Sequence, residues 1–140
     1  MDTGAPGAPA PRSPTRTTIR EEDIVTLVHR FYAAVRRDPV LGPVFGAHVH
    51  DWDAHLATLV DFWSGLLRGT RRFRGMPVTR HLALPGLEAA MFERWLEIFE
   101  ATTAGMDHPW LKAEADEQAR QMAQRLWQRY REHRDPAGTA

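Results

Sequence analysis

The sequence predicts an all-α fold. Bulky apolar residues recur at helical spacing in four long runs, and no stretch shows the two-residue alternation of a strand. Most of the glycines and prolines fall between those runs, where they act as punctuation. The chain has 140 residues, a length that suits one domain. Such a chain buries roughly two-thirds of its unfolded surface, enough to stand without cross-links.

The elements follow in order. Residues 1–17 are rich in Pro, Gly, Ala and Thr and almost devoid of bulky apolar side chains, so burial offsets too little of the ordering entropy and a disordered tail is expected. Residues 135–140 read the same way, which leaves a folded domain over 18–134. Thr18 with Glu21 fits a capping box, and Ile24, Leu27, Val28, Phe31, Tyr32 and Val35 then form one helical stripe. Pro39 ends that helix, and the segment from Pro39 to Phe45, broken by Gly42 and Pro43, is expected to be a short turn or 3₁₀ segment. A second long helix begins near Asp51, with Asp51 or Asp53 at its positive end. Its stripe is Trp52, His55, Leu56, Leu59, Phe62, Trp63 and Leu66, and Gly69 ends it. An extended connector runs through Gly75 and Pro77 to His81, which sits in at most a turn or two of helix before Pro85-Gly86. A third long helix carries Leu87, Met91, Trp95, Ile98, Phe99 and Thr102, and Gly105 closes it. Asp107 and Pro109 suit the start of a fourth, striped by Leu111, Ala115, Ala119, Met122, Leu126 and Tyr130.

Composition excludes several functions. Lys+Arg and Asp+Glu are both 18, so the chain lacks the basic excess of a nucleic-acid binder. There is no Cys, which removes iron–sulfur and thiolate-zinc sites and any Cys-x-x-Cys-His haem attachment, and which fits a reducing compartment. No run of about 18 apolar residues offers a transmembrane helix, and the N-terminus lacks the apolar centre of a signal peptide. A cytoplasmic location is expected.

Four side chains carry the chemistry. Tyr32 and His55 lie on the apolar stripes of their helices, Trp95 lies on a third, and His81 ends the connector. Taken singly each has a bland explanation: a core Tyr or Trp, a hydrogen-bonded core His, a His that packs beside a loop. Jointly they aim four polar-tipped groups at one apolar interior, which packing alone explains poorly and a flat iron cofactor with a small ligand explains well. Haem iron takes an axial imidazole in globins, and a short adjustable helix after a flexible connector suits His81 to that task. Arg68, Arg71, Arg72, Arg74 and Arg80 crowd the connector as a solvated surface, or with one or two of them meeting the carboxylates of a haem edge. His48, His50 and His55 have a metal-like spacing but no acidic residues arranged to complete a site, so His48 and His50 are expected to be exposed, as are His29, His108 and His133.

Several motifs together resemble the truncated haemoglobins of the third group. They are Phe31-Tyr32, Leu41-Gly42-Pro43-Val44-Phe45, His55 ahead of Phe62-Trp63, Gly75-Met76-Pro77 leading to His81-Leu82, and Phe92 with Trp95-Leu96 and Phe99. The resemblance covers roughly residues 20–132 and lacks the Gly-Gly pairs typical of the other two groups. It implies a two-over-two helical sandwich around haem b, with His81 as the proximal ligand. It puts Tyr32, His55 and Trp95 on the ligand side and Phe45 and Leu59 as apolar walls. Phe62 and Arg72 are taken as further cofactor contacts.

The implied function is binding of O₂ and other diatomic ligands such as NO and CO, with NO-detoxifying or peroxidase-like redox chemistry and an unidentified reductase open to it. Donors from Tyr32 and Trp95 are each worth roughly 1.5–3 kcal/mol on a charged acceptor. Release is thereby slowed by about 10- to 150-fold, which favours a catalyst or sensor over an O₂ carrier. The alternative is a cofactor-free helical interaction domain, in which Tyr32, His55 and Trp95 are all ordinary core residues.

Overall fold

The computed structural model describes residues 16–73 and 87–134, and these contain five helices and no strand. They are α1 (Glu21–Arg37), α2 (Leu41–His48), α3 (Trp52–Arg68), α4 (Ala89–Ala104) and α5 (Pro109–Arg134). His81, the connector from Gly75 to Arg80, the link from Leu82 to Gly86 and both terminal segments (1–15 and 135–140) lie outside the described residues.

The α1 stripe is buried as its spacing requires: Ile24, Leu27, Val28, Phe31, Tyr32 and Val35 all face the core. The helix starts later than expected. Arg20, not Thr18, precedes its first turn, and the Asp23 carboxylate accepts from the Arg20 backbone N–H at 2.8 Å. Glu21 does not complete a capping box. It turns to the end of α3 and the residues after it, where it takes Arg68 Nη1 at 2.9 Å and Arg72 Nη2 at 3.0 Å.

The segment expected to be a turn is α2. Asp38 resolves the apparent conflict with its Gly and Pro content. Its carboxylate accepts from the N–H groups of Val40 and Leu41 at 3.0 and 2.9 Å, and its carbonyl accepts from Gly42 N–H at 2.8 Å. Pro43 falls in the first turn, where its missing N–H would have no intrahelical partner. Gly42 permits the close approach of α1, since a Cβ there would lie 2.7 Å from the Arg36 carbonyl oxygen.

Asp51 caps α3 by accepting from Ala54 N–H at 3.1 Å, and Gly69 ends it in the left-handed region with φ 77°. Glycine takes that conformation without penalty. α5 begins at Pro109, and His108 caps it: Nδ1 accepts from Leu111 N–H at 3.2 Å. That leaves Nε2 to carry the hydrogen and donate to the Thr18 carbonyl at 3.1 Å. His108 is thus a structural joint between the start of the fold and α5, not the surface residue expected.

Two antiparallel pairs form the sandwich. α1 and α3 run in opposite directions, because Glu21 meets Ser64 and Arg68 at one end while Tyr32 meets His55 at the other. α4 and α5 do the same, with Thr103 beside Asp116 and Phe92 beside Trp127. The pairs meet where Phe31 of α1 packs edge-on against Trp95 and Phe99 of α4. Trp63 of α3 closes the same core by stacking on Phe99 at 5.0 Å. A polar network pins α4 to α5: Lys112 Nζ donates to Asp116 Oδ2 (2.8 Å), Thr103 Oγ1 (3.2 Å) and the Glu100 carbonyl (3.1 Å). Lys112 is the only lysine in the chain.

Candidate functional site

α3 carries two apolar faces with different fates. Val60, Trp63 and Ser64 are buried against the rest of the fold. Trp52, His55, Leu59 and Phe62 are only half-buried, although their spacing is equally helical. Leu66, expected to continue the inward stripe, is 39% exposed. α4 repeats the division: Phe99 and Thr103 are buried, while Met91, Trp95 and Ile98 are half-buried. An apolar stripe held at half exposure on two neighbouring helices is the surface of a site for an apolar guest.

Tyr32 stands at the centre of these residues. Its ring centroid lies 5.8 Å from that of Phe45 on α2, and 5.9 Å and 6.3 Å from those of His55 and Trp52 on α3. His55 in turn lies edge-on to Trp52 at 5.5 Å. Burial pushes the Tyr32 phenol well above its usual range, and a side-chain hydrogen bond from Trp95 offsets only part of that rise. Indole is a donor only, so Trp95 Nε1–H donates to Tyr32 Oη and leaves the phenol hydrogen for another acceptor. Tyr32 therefore remains a protonated donor throughout the neutral range.

Trp95 is held by rings on both sides. It stacks on Phe99 at 5.6 Å with an interplanar angle of 19°, and Phe31 meets it edge-on at 5.3 Å. At the rim, the Arg36 guanidinium covers the Trp52 ring at 4.4 Å, a cation–π contact that fixes the outer wall.

The structure therefore brings Tyr32, Phe45, His55 and Trp95 together. Leu59 and Phe62 follow along the half-buried α3 stripe, and Phe62 packs on Phe73 at 5.0 Å. Arg72 is placed differently from the rest. It pairs with Glu21 and, through Nε, with Asp61 Oδ1 at 3.1 Å. Contact with a cofactor carboxylate would cost it one of these pairs. His48 and His50 are exposed, and among the described residues no group of three His, Cys, Asp or Glu is placed to hold a metal ion.

One functional residue escaped the sequence. Asp38 accepts a bidentate Arg94 guanidinium, with Nη2 to Oδ1 at 2.6 Å and Nε to Oδ2 at 2.8 Å, while its carboxylate also accepts from the N–H groups that open α2. Burial pushes its carboxyl up, but the Leu41 N–H, the Arg94 guanidinium and the Val40 N–H together hold it below the ordinary carboxylate value. An Asp just before a Pro-containing turn is a common acceptor for the backbone N–H groups that open a helix, and Asp38 serves Val40 and Leu41 in that way.

The donor set fits haem. Half-buried apolar side chains from α2, α3 and α4 gather around a phenol, an indole and an imidazole. This is the arrangement that a flat apolar ring with a small polar ligand on one side requires. No helix among the described residues is long and apolar enough to cross a membrane.

The chain is similar to known proteins. Residues 20–132 match the family described as bacterial-like globin. The group 3 truncated hemoglobin ctb of Campylobacter jejuni is 40% identical over 87 residues, which span 59% of this chain and 68% of that protein. The crystal structure of the group III truncated hemoglobin from Campylobacter jejuni superposes with a TM-score of 0.73 at 34% identity, covering 78% of this chain and 89% of that one. The all-α sandwich, the convergent aromatic pocket and these three likenesses agree: the chain belongs to the bacterial-like globin family, as a haem-binding truncated globin of the third group.

Proposed function

We propose that the protein holds one haem b per chain, ligated by His81, and binds O₂ and other diatomic ligands against Tyr32. The observation that supports it best is the gathering of Phe45, His55 and Trp52 around the Tyr32 ring at 5.8, 5.9 and 6.3 Å, with Trp95 as a hydrogen-bond partner of its hydroxyl. His81 would hold the haem, and the haem would supply an iron centre able to take a diatomic ligand. The rest is the work of the chain. Phe45, Leu59 and Phe62 exclude water, so every hydrogen bond inside acts in a low dielectric. Tyr32 donates its hydroxyl hydrogen to a ligand that carries partial negative charge. Trp95 donates to the same hydroxyl oxygen, which polarises it and makes it the better donor. This is a relay through one oxygen, not two parallel bonds to the ligand. His55, half-buried between Trp52 and Tyr32 in the first turns of α3, stands where ligand enters.

Such a relay discriminates. A polar ligand gains from it and a nearly neutral one such as CO gains little. Slow O₂ release suits a catalyst or sensor that holds the ligand until a second reactant arrives, and NO- or peroxide-directed redox chemistry with a separate reductase fits that requirement. The net charge of 0 and the absence of a basic excess give nucleic acid no purchase. A cofactor-free interaction domain would leave the half-buried stripes of α3 and α4 without a purpose.

Absorption spectra of the purified protein in its oxidised, reduced and CO-treated forms test the assignment. One haem per chain with the spectrum of a single-histidine globin supports it. A colourless protein that takes up no added haem overturns it.

A further inference from the structure

Asp38 is a buried carboxylate, 6% exposed at its side chain, at the junction of three helices. It follows the last turn of α1, it caps α2 through Val40 and Leu41, and it takes Arg94 of α4 in a bidentate pair. Each attachment bears on the pocket. α2 carries Phe45, which packs on Tyr32. Arg94 immediately precedes Trp95, so the arm that reaches Asp38 and the indole that reaches Tyr32 leave neighbouring positions on one helix. Six residues of α1, about 9 Å of helix rise, separate Tyr32 from Asp38. α4 is therefore fixed to α1 at two points, one ionic through Arg94 and Asp38 and one aromatic where Trp95 meets Phe31 edge-on at 5.3 Å. A planar bidentate guanidinium sets orientation as well as distance, and two points suffice to stop α4 from sliding or rolling on α1.

We infer that Asp38 and Arg94 form a positioning pair that holds the Trp95 indole in register with the Tyr32 hydroxyl. The pair touches no ligand. Its effect is the alignment of a donor whose bond is lost at a displacement of a few tenths of an ångström beyond hydrogen-bond reach. Other pairs tie the fold elsewhere and lack this consequence. Lys112 and Asp116, both on α5, hold Thr103 and the Glu100 carbonyl of α4 beyond Trp95, and Arg68 and Arg72 tie Glu21 at the start of α1 to the end of α3 and the residues after it. The inference rests on the proposed function only for the kinetic effect of the alignment, not for the alignment itself.

The test is the indole N–H resonance of Trp95 in the full chain as purified, assigned by its loss in Trp95→Phe. Arg94→Met and Asp38→Asn should each move that resonance away from its hydrogen-bonded position, with the Trp110 resonance unmoved. Arg94→Lys keeps the charge without the planar fork, and the resonance should return part of the way. Should Arg94→Met fail to fold, Arg94→Lys and Asp38→Asn carry the same comparison. In the haem-loaded protein Arg94→Met should speed O₂ release by the factor seen for Trp95→Phe, about 5-fold for one neutral hydrogen bond, and the double variant should go no further. A Trp95 resonance that stays in place in both variants while the melting temperature falls overturns the inference, because the pair is then a support and nothing more. If Trp95→Phe itself leaves O₂ release unchanged, the proposed relay fails while a moving indole resonance still establishes the positioning pair.

Discussion

Phe31 of α1 meets Trp95 of α4 edge-on at 5.3 Å, and the same indole is a hydrogen-bond partner of the neighbouring Tyr32 phenol. The contact joins the two helical pairs of the sandwich beside the proposed haem pocket, and it gives Tyr32 a partner that can only donate. The phenol is left with its own hydrogen to give. The chemistry expected of the pocket follows from that one asymmetry.

The proximal role of His81 rests on the resemblance and on the sequence of its connector. His81→Gly should lose the normal spectrum of the reduced protein and regain it when free imidazole is added. Unchanged ligation in the variant, measured by absorption and resonance Raman spectra, removes His81 from that role.

The Asp38–Arg94 pair should leave a signature in acid. The folded carboxyl titrates below its ordinary value of 3.8. A depressed carboxylate contributes stability that is fully present above the ordinary value and is lost as pH falls through the folded one. The gap in melting temperature between wild type and Asp38→Asn should therefore be constant above about pH 5 and shrink on further acidification. A gap that holds at pH 3 would mean that Asp38 contributes nothing through its charge.

The start of the fold should tolerate one truncation and not another. Removing residues 1–15 should leave melting temperature and ligand kinetics unchanged. Removing the chain through Ile19 deletes a residue packed against the core, the carbonyl that accepts from Arg68 at 3.1 Å and the Thr18 carbonyl bound to His108. That should cost about 1–3 kcal/mol for the partners left unsatisfied. Calorimetry on the two truncations separates them, and equal stability would show that the Thr18–Ile19 contacts are idle.

His55 should act on entry more than on retention. It is half-buried, packed between Trp52 and Tyr32 rather than locked in the core. In His55→Leu, CO association should change more than O₂ dissociation. A steep rise in O₂ dissociation with unchanged CO association would make His55 a direct donor instead.

Much of this was legible in the sequence, and the failures are informative. The α1 stripe was read in full because all of it faces one core, so period and burial coincide. On α3 the period was visible but not the depth: Trp63 and Leu66 sit three apart on one apolar pattern, yet one is buried and the other exposed. Periodicity reports a face and not what covers it. α2 was missed because Gly42 and Pro43 argue against a helix one residue at a time, whereas Asp38 satisfies its first turn from outside. Asp38–Arg94 and Lys112–Asp116–Thr103 were invisible for a different reason. The ion pair between Arg94 and Asp38 and the bond from Thr103 to Asp116 cross between helices, so they depend on tertiary placement and no local spacing records them. Tyr32, His55 and Trp95 were found because each is a polar-tipped group on an apolar stripe, an anomaly that sequence does show. The bond between Tyr32 and Trp95 was not, since it turns two parallel donors into a relay.

That relay is the central claim, and O₂ and CO release measured by stopped flow in wild type, Tyr32→Phe, Trp95→Phe and the double variant test it most directly. Tyr32→Phe should raise the O₂ dissociation rate by about 10- to 100-fold and change CO release far less. Trp95→Phe should raise O₂ release on its own and add nothing once Tyr32 is gone, a coupling that double-mutant analysis reads as strong non-additivity. Strict additivity, or equal effects on O₂ and CO, would contradict the account.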